Sequence, residues 1–306
     1  MNQYTSERDT AITIASEAAR EIRRIYDAKE AQTYIKADAS PVTDADLASD
    51  RIIRERIAAA FPGDAILTEE GADDAARLTA QRCWIVDPID GTQQFVDRTG
   101  QFDVLIALVV DGRPVVSVMA QPVTGLILAA AAGAGATIGL IGSETRNQLV
   151  LRQPGPEPVL ATTIWFGAPA SAPYLARFAA AAGVAMPKVL PTGVLIRGHV
   201  DPIASGMAAD PVAFPPANIA EGMIGLPYRG IGTLAWEWDF AAADLIVHEA
   251  GGRYTDWHGA QFRYNKSIPR NFGGLVIANT PELHDRMLAA IAPLIPEIEA
   301  DFTAES

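Results

Sequence analysis

The spacing of apolar residues predicts two amphipathic helices near the start of the chain. Residues 6–30 carry apolar side chains three and four positions apart with charges between them, the period of one helix face. A second helix is expected from Asp44 to Phe61, with Thr43 as its N-cap and Pro62-Gly63 at its end. Residues 36–43 between them are polar, and no regular structure is expected there.

From Ala65 onward the pattern changes to short apolar runs that predict β-strands. These runs are Ile66-Leu67, Trp84–Val86, Val104–Val110, Val115–Met119 and Gly125–Ala132, with Asp111-Gly112 as a hairpin turn. The glycines of Gly133–Gly139 resemble a dinucleotide-binding loop, but the third comes one place late, and a hairpin with a tight bend is expected instead.

The second half of the chain alternates strands with more obvious helices. Helices are predicted over Ala172–Ala182, Asp239–Ala250 and Thr280–Ala292. The chain is therefore expected to be a mixed α/β protein with two halves, 1–155 and 156–306, that meet at a proline-rich stretch. Residues 200–235 are rich in Gly, Pro and Ala. This composition predicts either an ordered segment near the site or a flexible loop.

Composition and charge narrow the class of protein. The 306 residues are 49% hydrophobic and 20% charged, which is typical of a folded globular chain. A net charge of −13 argues against a nucleic-acid partner. No apolar run approaches the roughly 20 residues that span a bilayer, so no membrane partner is expected. The single cysteine, Cys83, and an N-terminal segment without signal-peptide features indicate a cytoplasmic location.

The clearest chemical signal is the segment Asp87-Pro-Ile-Asp-Gly-Thr92, which follows a predicted buried strand. This places Asp87 at the carboxyl end of the strand, where α/β sheets bind ligands. Pro88 fixes the backbone as it leaves the strand, and Gly91 permits an unusual turn. The carboxylates of Asp87 and Asp90 can therefore point into one shared volume.

Two further sources of carboxylate each allow a second interpretation. Glu69-Glu70 after a strand would be ligands or a solvated loop, and Asp239 at a helix start would be a ligand or a cap. Two like charges about 4 Å apart repel by roughly 4 kcal/mol at an effective dielectric of 20, so such a cluster takes up protons or cations. Oxygen donors alone suit Mg²⁺, Mn²⁺ or Ca²⁺ rather than zinc.

Four motifs, in order along the chain, resemble those of the inositol monophosphatase superfamily. They are Lys36…Ser40-Pro-Val-Thr43…Asp46, Glu69-Glu70, Asp87-Pro-Ile-Asp-Gly-Thr92 and Trp238-Asp239…Ala242…Glu249-Ala-Gly-Gly252. The resemblance implies a layered αβαβα sandwich, often homodimeric, and a lithium-sensitive, Mg²⁺-dependent hydrolase. Such an enzyme removes phosphate from a small soluble phosphorylated metabolite by means of a metal-activated water.

The resemblance also implies roles for individual residues. Glu69, Asp87 and the carbonyl of Ile89 would bind one Mg²⁺, while Asp87, Asp90 and Asp239 would bind a second. Mn²⁺ is expected to substitute for Mg²⁺.

Other residues are implied in catalysis and phosphate binding. Thr92 and Asp46 match the pair that orients the attacking water, and Glu69 belongs with them. Lys36 would help to hold the water shell of a weaker third ion. Gly91 and Thr92 would offer backbone N–H groups to the phosphate, beside Asp90 and Asp239.

The resemblance leaves the substrate open. Lys36–Thr43, Thr99–Leu108 and Glu237–Asp239 resemble the bacterial 3′-phosphoadenosine 5′-phosphate phosphatases and also some histidinol-phosphate phosphatases. Inositol phosphate is less favoured, because Gly232 stands where animal enzymes have a glutamate that contacts inositol. A sugar phosphatase is a further alternative.

Two inferences have an alternative interpretation: which residues contact the substrate, and whether the protein is a catalyst. Arg197, Arg229 and Glu237 are candidate substrate contacts or surface charges. A metal-binding regulatory relative without turnover is the alternative from another functional class. The presence of both Thr92 and Asp46 argues against it.

Overall fold

The computed structural model describes residues 3–29, 31–36, 40–151, 153–163, 171–190, 220–227 and 233–303. The chain forms two compact units built from discontinuous segments. The first contains residues 1–149, 237–249 and 263–269, and the second contains residues 150–236, 250–262 and 270–306. The predicted division near residue 155 stays a prediction, and the helix that carries Asp239 belongs to the first unit.

Five of the seven helices in the described part of the chain lie close to where the hydrophobic pattern predicts them, whereas α3 and α7 were not predicted. They are α1 (Thr5–Ala28), α2 (Asp44–Ala60), α3 (Thr92–Val96), α4 (Ala172–Ala182), α5 (Glu237–Glu249), α6 (Pro281–Ile291) and α7 (Ile295–Thr303). Short 3₁₀ turns occupy Ala75–Thr79 and Ala292–Leu294. Thr43 caps α2 and Thr280 caps α6, as predicted. Helix α5 begins two residues earlier than expected.

The strands of the first unit form a small hairpin and one large sheet. They are β1 (Thr33–Ile35), β2 (Pro41–Thr43), β3 (Ala65–Thr68), β4 (Arg82–Asp90), β5 (Asp103–Val110), β6 (Arg113–Ala120), β7 (Leu126–Ala131), β8 (Ala136–Leu140) and β9 (Arg146–Gln148). β1 and β2 pair with each other, so the expectation of no regular structure over residues 36–43 is wrong for Pro41–Thr43. The others form a seven-stranded sheet in the order β3 to β9. Only its β3–β4 pair is parallel. The predicted Asp111-Gly112 turn joins β5 to β6, with φ angles of 50° and 74°.

Helices cover both faces of the seven-stranded sheet. Alternate side chains on the central strands, such as Trp84, Val86 and Ile106, pack with the apolar faces of α1 and α2. Side chains at the intervening positions point to the opposite face, where α5 lies. Ser117 on that face donates a hydrogen bond to the carbonyl of Ala241 at 3.4 Å. The first unit is therefore a helix–sheet–helix arrangement.

Helix α5 is fixed to the first unit by the buried carboxylate of Asp244. Arg113 donates two hydrogen bonds to it, both 2.9 Å long, and the hydroxyl of Tyr264 donates a third at 2.9 Å. His248 Nδ1 lies 2.9 Å from Asp244 Oδ1. Because a buried carboxylate is stable only when it is fully partnered, these contacts determine where α5 sits on the sheet.

The last residue of α5, Glu249, closes the β7–β8 hairpin. Its carboxylate accepts hydrogen bonds from the N–H groups of Gly133 and Gly135, at 2.9 and 2.8 Å. Both glycines have positive φ angles, as the tight bend requires. The hairpin predicted over Gly133–Gly139 is confirmed.

The second unit is built on a five-stranded sheet in the order β11-β10-β12-β16-β14. Its strands are β10 (Leu160–Thr163), β11 (Lys188–Leu190), β12 (Gly222–Gly225), β14 (Arg253–Asp256) and β16 (Leu275–Ala278); β13 (Thr233–Trp236) and β15 (Arg270–Phe272) pair separately. Side chains of α4, α6 and α7, among them Phe178, Met287 and Ile298, pack with this sheet in one apolar core.

In the range 200–235, residues 220–227 and 233–235 are described, whereas 200–219 and 228–232 lie outside the described residues. No helix in the described part of the chain is long and apolar enough to cross a membrane.

Replacing Asp244 with alanine should lower the free energy of unfolding by about 3–5 kcal/mol, because it removes a fully buried carboxylate that accepts hydrogen bonds from the half-buried Arg113 and from the buried hydroxyl of Tyr264. Urea unfolding followed by circular dichroism would measure the change. The matched control is Arg177→Ala, which removes an exposed ion pair with Glu297 and should cost no more than about 1 kcal/mol. Equal losses in the two variants would contradict the anchoring role.

Candidate active site

A bulge at the end of β4 brings Asp87 and Asp90 to the same side of the strand. Asp87 pairs with Leu105 of β5 and Asp90 pairs with Asp103, so three steps along β4 match two along β5. In a regular strand, side chains three positions apart point to opposite faces. The extra residue cancels that difference, since a bulge shifts the alternation by one position. The hydroxyl of Ser49 on α2 supports the bulge by donating to the carbonyl of Pro88 at 2.9 Å.

The three aspartates of the predicted second metal site meet in the structure. Asp87, Asp90 and Asp239 each place a carboxylate oxygen within 4.8 Å of the others. Asp87 is buried, while Asp90 and Asp239 are half-buried. Asp239 arrives from the first turn of α5, which Asp244 holds on the sheet. Carboxylates from distant parts of the sequence therefore enclose one volume.

The electrostatics of this group favour a bound cation. Burial raises the pKa of Asp87 well above its ordinary value, and the charges of Glu69, Asp90 and Asp239 raise it further. These contributions oppose ionisation, and a cation among the carboxylates would reverse them. The donors that meet here are all oxygen atoms, which is the set that Mg²⁺ and Mn²⁺ prefer. The residues present therefore fit a hard divalent cation.

The predicted water-orienting pair is in hydrogen-bond contact. Thr92 Oγ1 lies 2.9 Å from Asp46 Oδ1 and 3.3 Å from the carbonyl oxygen of Ile89. The other oxygen of Asp46 accepts hydrogen bonds from the backbone N–H and the hydroxyl of Thr43. Asp46 thus completes the capping box of α2 with one oxygen and contacts Thr92 with the other. Burial raises the pKa of Asp46 above its ordinary value, although its hydrogen bonds with Thr43 and Thr92 oppose the rise.

Lys36 binds both glutamates that follow β3. Its Nζ lies 2.7 Å from Glu69 Oε1 and 2.7 Å from Glu70 Oε1. Burial alone would lower the pKa of Lys36, but the charge of Glu69 and hydrogen bonds to both carboxylates raise it. Burial raises the pKa of Glu70 to about 7, against the opposing hydrogen bond from Lys36. The solvated-loop alternative is wrong for Glu70, because only 6% of its side chain is exposed. Glu69 is half-buried and also bound by Lys36.

Gly91 makes the turn between β4 and α3 possible. Its φ angle is +93°, and a Cβ at this position would lie 3.1 Å from the carbonyl oxygen of Gln101. A side chain is therefore disfavoured both by conformation and by space. The turn carries the backbone from Asp90 directly to Thr92, so both side chains enter the site from adjacent elements.

A buried network that sequence reasoning missed supports the start of α5. Glu237, with no exposed surface, accepts hydrogen bonds from the N–H groups of Asn265 and Lys266 at 2.7 and 3.2 Å. Arg77, also buried, donates to the Asn265 side chain at 2.7 Å and to the Lys266 carbonyl at 2.9 Å. The network holds residues 263–269 beside the turn that presents Asp239.

The sequence left open whether Glu237 contacts a substrate or is a surface charge. Because Glu237 is buried and bound by backbone N–H groups, it is neither. The sequence offered no signal for this network, because Arg77 and Asn265 are 188 positions apart. Arg197, Arg229 and Gly232, on which substrate inferences were based, lie outside the described residues.

Comparison with known proteins supports the resemblance seen in the motifs. The model of the inositol monophosphatase family matches residues 3–295. The 3′(2′),5′-bisphosphate nucleotidase CysQ of Aggregatibacter actinomycetemcomitans is 30% identical over 257 residues, covering 83% of this chain and 86% of the relative. The Nus factor SuhB of Pasteurella multocida is 31% identical over 290 residues, covering 94% and 96%.

Solved structures agree with these matches. CysQ of Bacteroides thetaiotaomicron has a TM-score of 0.66 and 26% identity, covering 90% of this chain and 98% of that one. The suhB protein of Bartonella henselae has a TM-score of 0.67 at 24% identity, covering 94% and 98%, which shows the fold alone. The α/β fold class expected from the sequence is confirmed. With a family model that spans almost its whole length, this chain belongs to the inositol monophosphatase family and is a phosphomonoester hydrolase.

Proposed function

We propose that this protein is a Mg²⁺-dependent phosphatase that hydrolyses 3′-phosphoadenosine 5′-phosphate or a similar small phosphate ester. The observation that carries the proposal is the meeting of Asp87, Asp90 and Asp239 within 4.8 Å, in the same unit as the Thr92–Asp46 pair. Similarity to the CysQ nucleotidases over 83% of the chain supports a nucleotide substrate. Inositol phosphate is the alternative substrate, favoured by the family match.

The acidic group would hold two Mg²⁺ ions. Asp87, Asp90 and Asp239 are the ligands for one, and Asp87, Glu69 and the carbonyl of Ile89 for the other, with Mn²⁺ able to replace Mg²⁺. Lys36 would help to hold the water shell of a weaker third ion. When bound, the metal neutralises the oxygens of the phosphate and lowers the pKa of a water molecule that attacks phosphorus.

Thr92 and Asp46 would direct the attacking water. The hydroxyl hydrogen of Thr92 points to Asp46 when it donates across the 2.9 Å contact, which leaves oxygen lone pairs to accept a hydrogen bond from the water. Burial raises the pKa of Asp46, so its carboxylate is a better proton acceptor than an exposed aspartate. The contacts from Thr43 to Asp46 keep this carboxylate in one orientation.

Hydrogen-bond donors for the phosphate would come from the turn between β4 and α3, and a positive charge would come from Lys36. The backbone N–H groups of Gly91 and Thr92, at the start of α3, can donate hydrogen bonds to phosphate oxygens. Asp90 and Asp239 would contact the phosphate indirectly, through the metal that they hold. Lys36, held by Glu69 and Glu70, adds a fixed positive charge beside the acidic group. Together these groups would stabilise charge that moves onto the leaving oxygen.

Further properties are proposed on the family resemblance. The protein is expected to be a lithium-sensitive homodimer in the cytoplasm, acting on a metabolite rather than on a nucleic acid polymer. A regulatory role in addition to hydrolysis is the second candidate function. It is favoured by the 31% identity to a relative named as a Nus factor rather than as a hydrolase.

Phosphate release from a panel of esters tests the proposed function and its substrate together. The panel holds 3′-phosphoadenosine 5′-phosphate, inositol 1-phosphate, histidinol phosphate and fructose 1,6-bisphosphate, each assayed with Mg²⁺ and with EDTA. We expect Mg²⁺-dependent release that is fastest from the nucleotide. No phosphate release from any of the four esters, in protein that still binds Mg²⁺, would contradict each of these proposed substrates.

Replacing Asp90 with asparagine should reduce kcat by about 10²-fold or more, because it removes one charge that holds the cation on the transferring phosphate. In EDTA the melting temperature should not fall, since the change relieves repulsion from Asp87. Asp97→Asn, at an exposed position after α3, is the matched control and should keep its activity. A normal rate in Asp90→Asn would contradict the metal-ligand role.

Thr92→Val should lower kcat roughly 10²-fold with little change in KM, because it removes the hydroxyl that orients the water. Thr92→Ser restores that hydroxyl and should recover most of the rate. The control is Thr79→Val, which removes an exposed hydroxyl from the 3₁₀ turn. If serine fails to rescue the rate, the hydroxyl does not have the role assigned to it.

A further inference from the structure

A cavity of about 490 Å³ lies in the first unit between α1 and the segment that connects β8 to β9. None of its lining residues belongs to the acidic group of the active site. The charged residues that line it are three arginines and two carboxylates: Arg8, Arg20, Arg146, Asp9 and Glu144. In a protein with a net charge of −13, a cavity with an excess of arginine is unusual and suggests an anionic ligand.

Arg146 enters the cavity through space that a glycine leaves open. Arg146 on β9 pairs with Gly139 on β8, and a Cβ at Gly139 would lie 3.2 Å from Arg146 Cγ and 3.3 Å from its Nη1. The side chain of Arg146 therefore passes over Gly139 on the neighbouring strand. Its Nη1 is buried and has no hydrogen-bond partner among the described residues.

Arg20 reaches the same cavity from α1. Its Nη2 would be 3.6 Å from a Cβ at Gly142, whose φ angle of +84° already favours glycine. In the part of the chain that the structure describes, no carboxylate lies within ion-pair distance of Arg20 or Arg146. Arg20 also lines a second, smaller cavity of about 260 Å³, so the two cavities adjoin at this residue.

The remaining charges in the cavity do not satisfy these two arginines. Arg8 donates two hydrogen bonds to Asp9, at 3.0 and 2.9 Å, and so takes up one carboxylate. Burial lowers the pKa of Arg146 from its ordinary value, and the charge of Arg8 lowers it further, with only partial compensation by Asp9. A buried guanidinium nitrogen that lacks a hydrogen-bond partner, such as Nη1 of Arg146, costs free energy, which a bound anion would recover.

We propose that this arginine cavity is a second binding site for a small phosphate-bearing anion, held by Arg20 and Arg146. Guanidinium groups bind phosphate through paired, planar hydrogen bonds, which suits two arginines that converge from different elements. The volume lies in the range of small-ligand sites and admits a phosphorylated metabolite as well as free phosphate. The proposal does not depend on the hydrolase activity, because it uses none of the residues of the active site.

Calorimetric titration with inorganic phosphate, at pH 8 and in EDTA, tests the site on the whole protein. Without metal the acidic group repels phosphate, so binding reports the arginine cavity. We expect saturable binding by the wild type, and Arg20→Gln and Arg146→Gln should each weaken it about tenfold through loss of a charged hydrogen bond. Arg20 is exposed on α1, so Arg20→Gln should fold normally even if Arg146→Gln does not.

Two further variants separate a specific site from general charge effects. Arg286→Gln removes an equal charge from an exposed position on α6 and should leave binding unchanged. Asp9→Asn removes a negative charge from the cavity wall and releases Arg8, so it should tighten binding. The proposal fails if the wild type does not bind phosphate, if Arg20→Gln binds as tightly as the wild type, or if Arg286→Gln weakens binding equally.

Discussion

The mutual repulsion of buried carboxylates is the constraint on which the active site of this protein depends. Asp87, Asp90 and Asp239 lie within 4.8 Å of one another, and Asp87 is buried. Such a group opposes its own ionisation, and a divalent cation is the simplest partner that offsets the cost. A bound cation would make the acidic composition of the chain compatible with an anionic phosphate substrate, because it would supply the positive charge that the carboxylates lack.

Several structural features exist to keep those carboxylates together. The bulge in β4 turns Asp87 and Asp90 to one side, and the Asp244 contacts hold α5 so that Asp239 can reach them. The buried Arg77–Glu237 network fixes the segment beside the first turn of α5. Asp46 completes the capping box of α2 with one carboxylate oxygen and accepts a hydrogen bond from the hydroxyl of Thr92 with the other. Folding itself therefore fixes the geometry of the active site before any substrate binds.

The sequence predicted the local elements well, because apolar periodicity and caps act over short distances. The bounds of α4 and the Thr43 cap of α2 follow directly from residue patterns. The convergence of Asp239 on Asp87 could be expected only from the family resemblance, since nothing local in the chain encodes it. Arg77, Asn265 and the pairing of Arg146 with Gly139 were not predictable, because each depends on contacts between distant segments. Local sequence also left open whether Glu69-Glu70 would be solvated, which the contacts of Lys36 decide.

The most direct test of the central claim is anomalous diffraction from crystals grown with Mn²⁺, which would locate any cation without reference to activity. The account predicts strong peaks about 2.0–2.4 Å from the carboxylate oxygens of Asp87, Asp90 and Asp239, with a further peak beside Glu69. Absence of a peak at these carboxylates under saturating Mn²⁺, in crystals that diffract well, would contradict the claim that they form a metal centre.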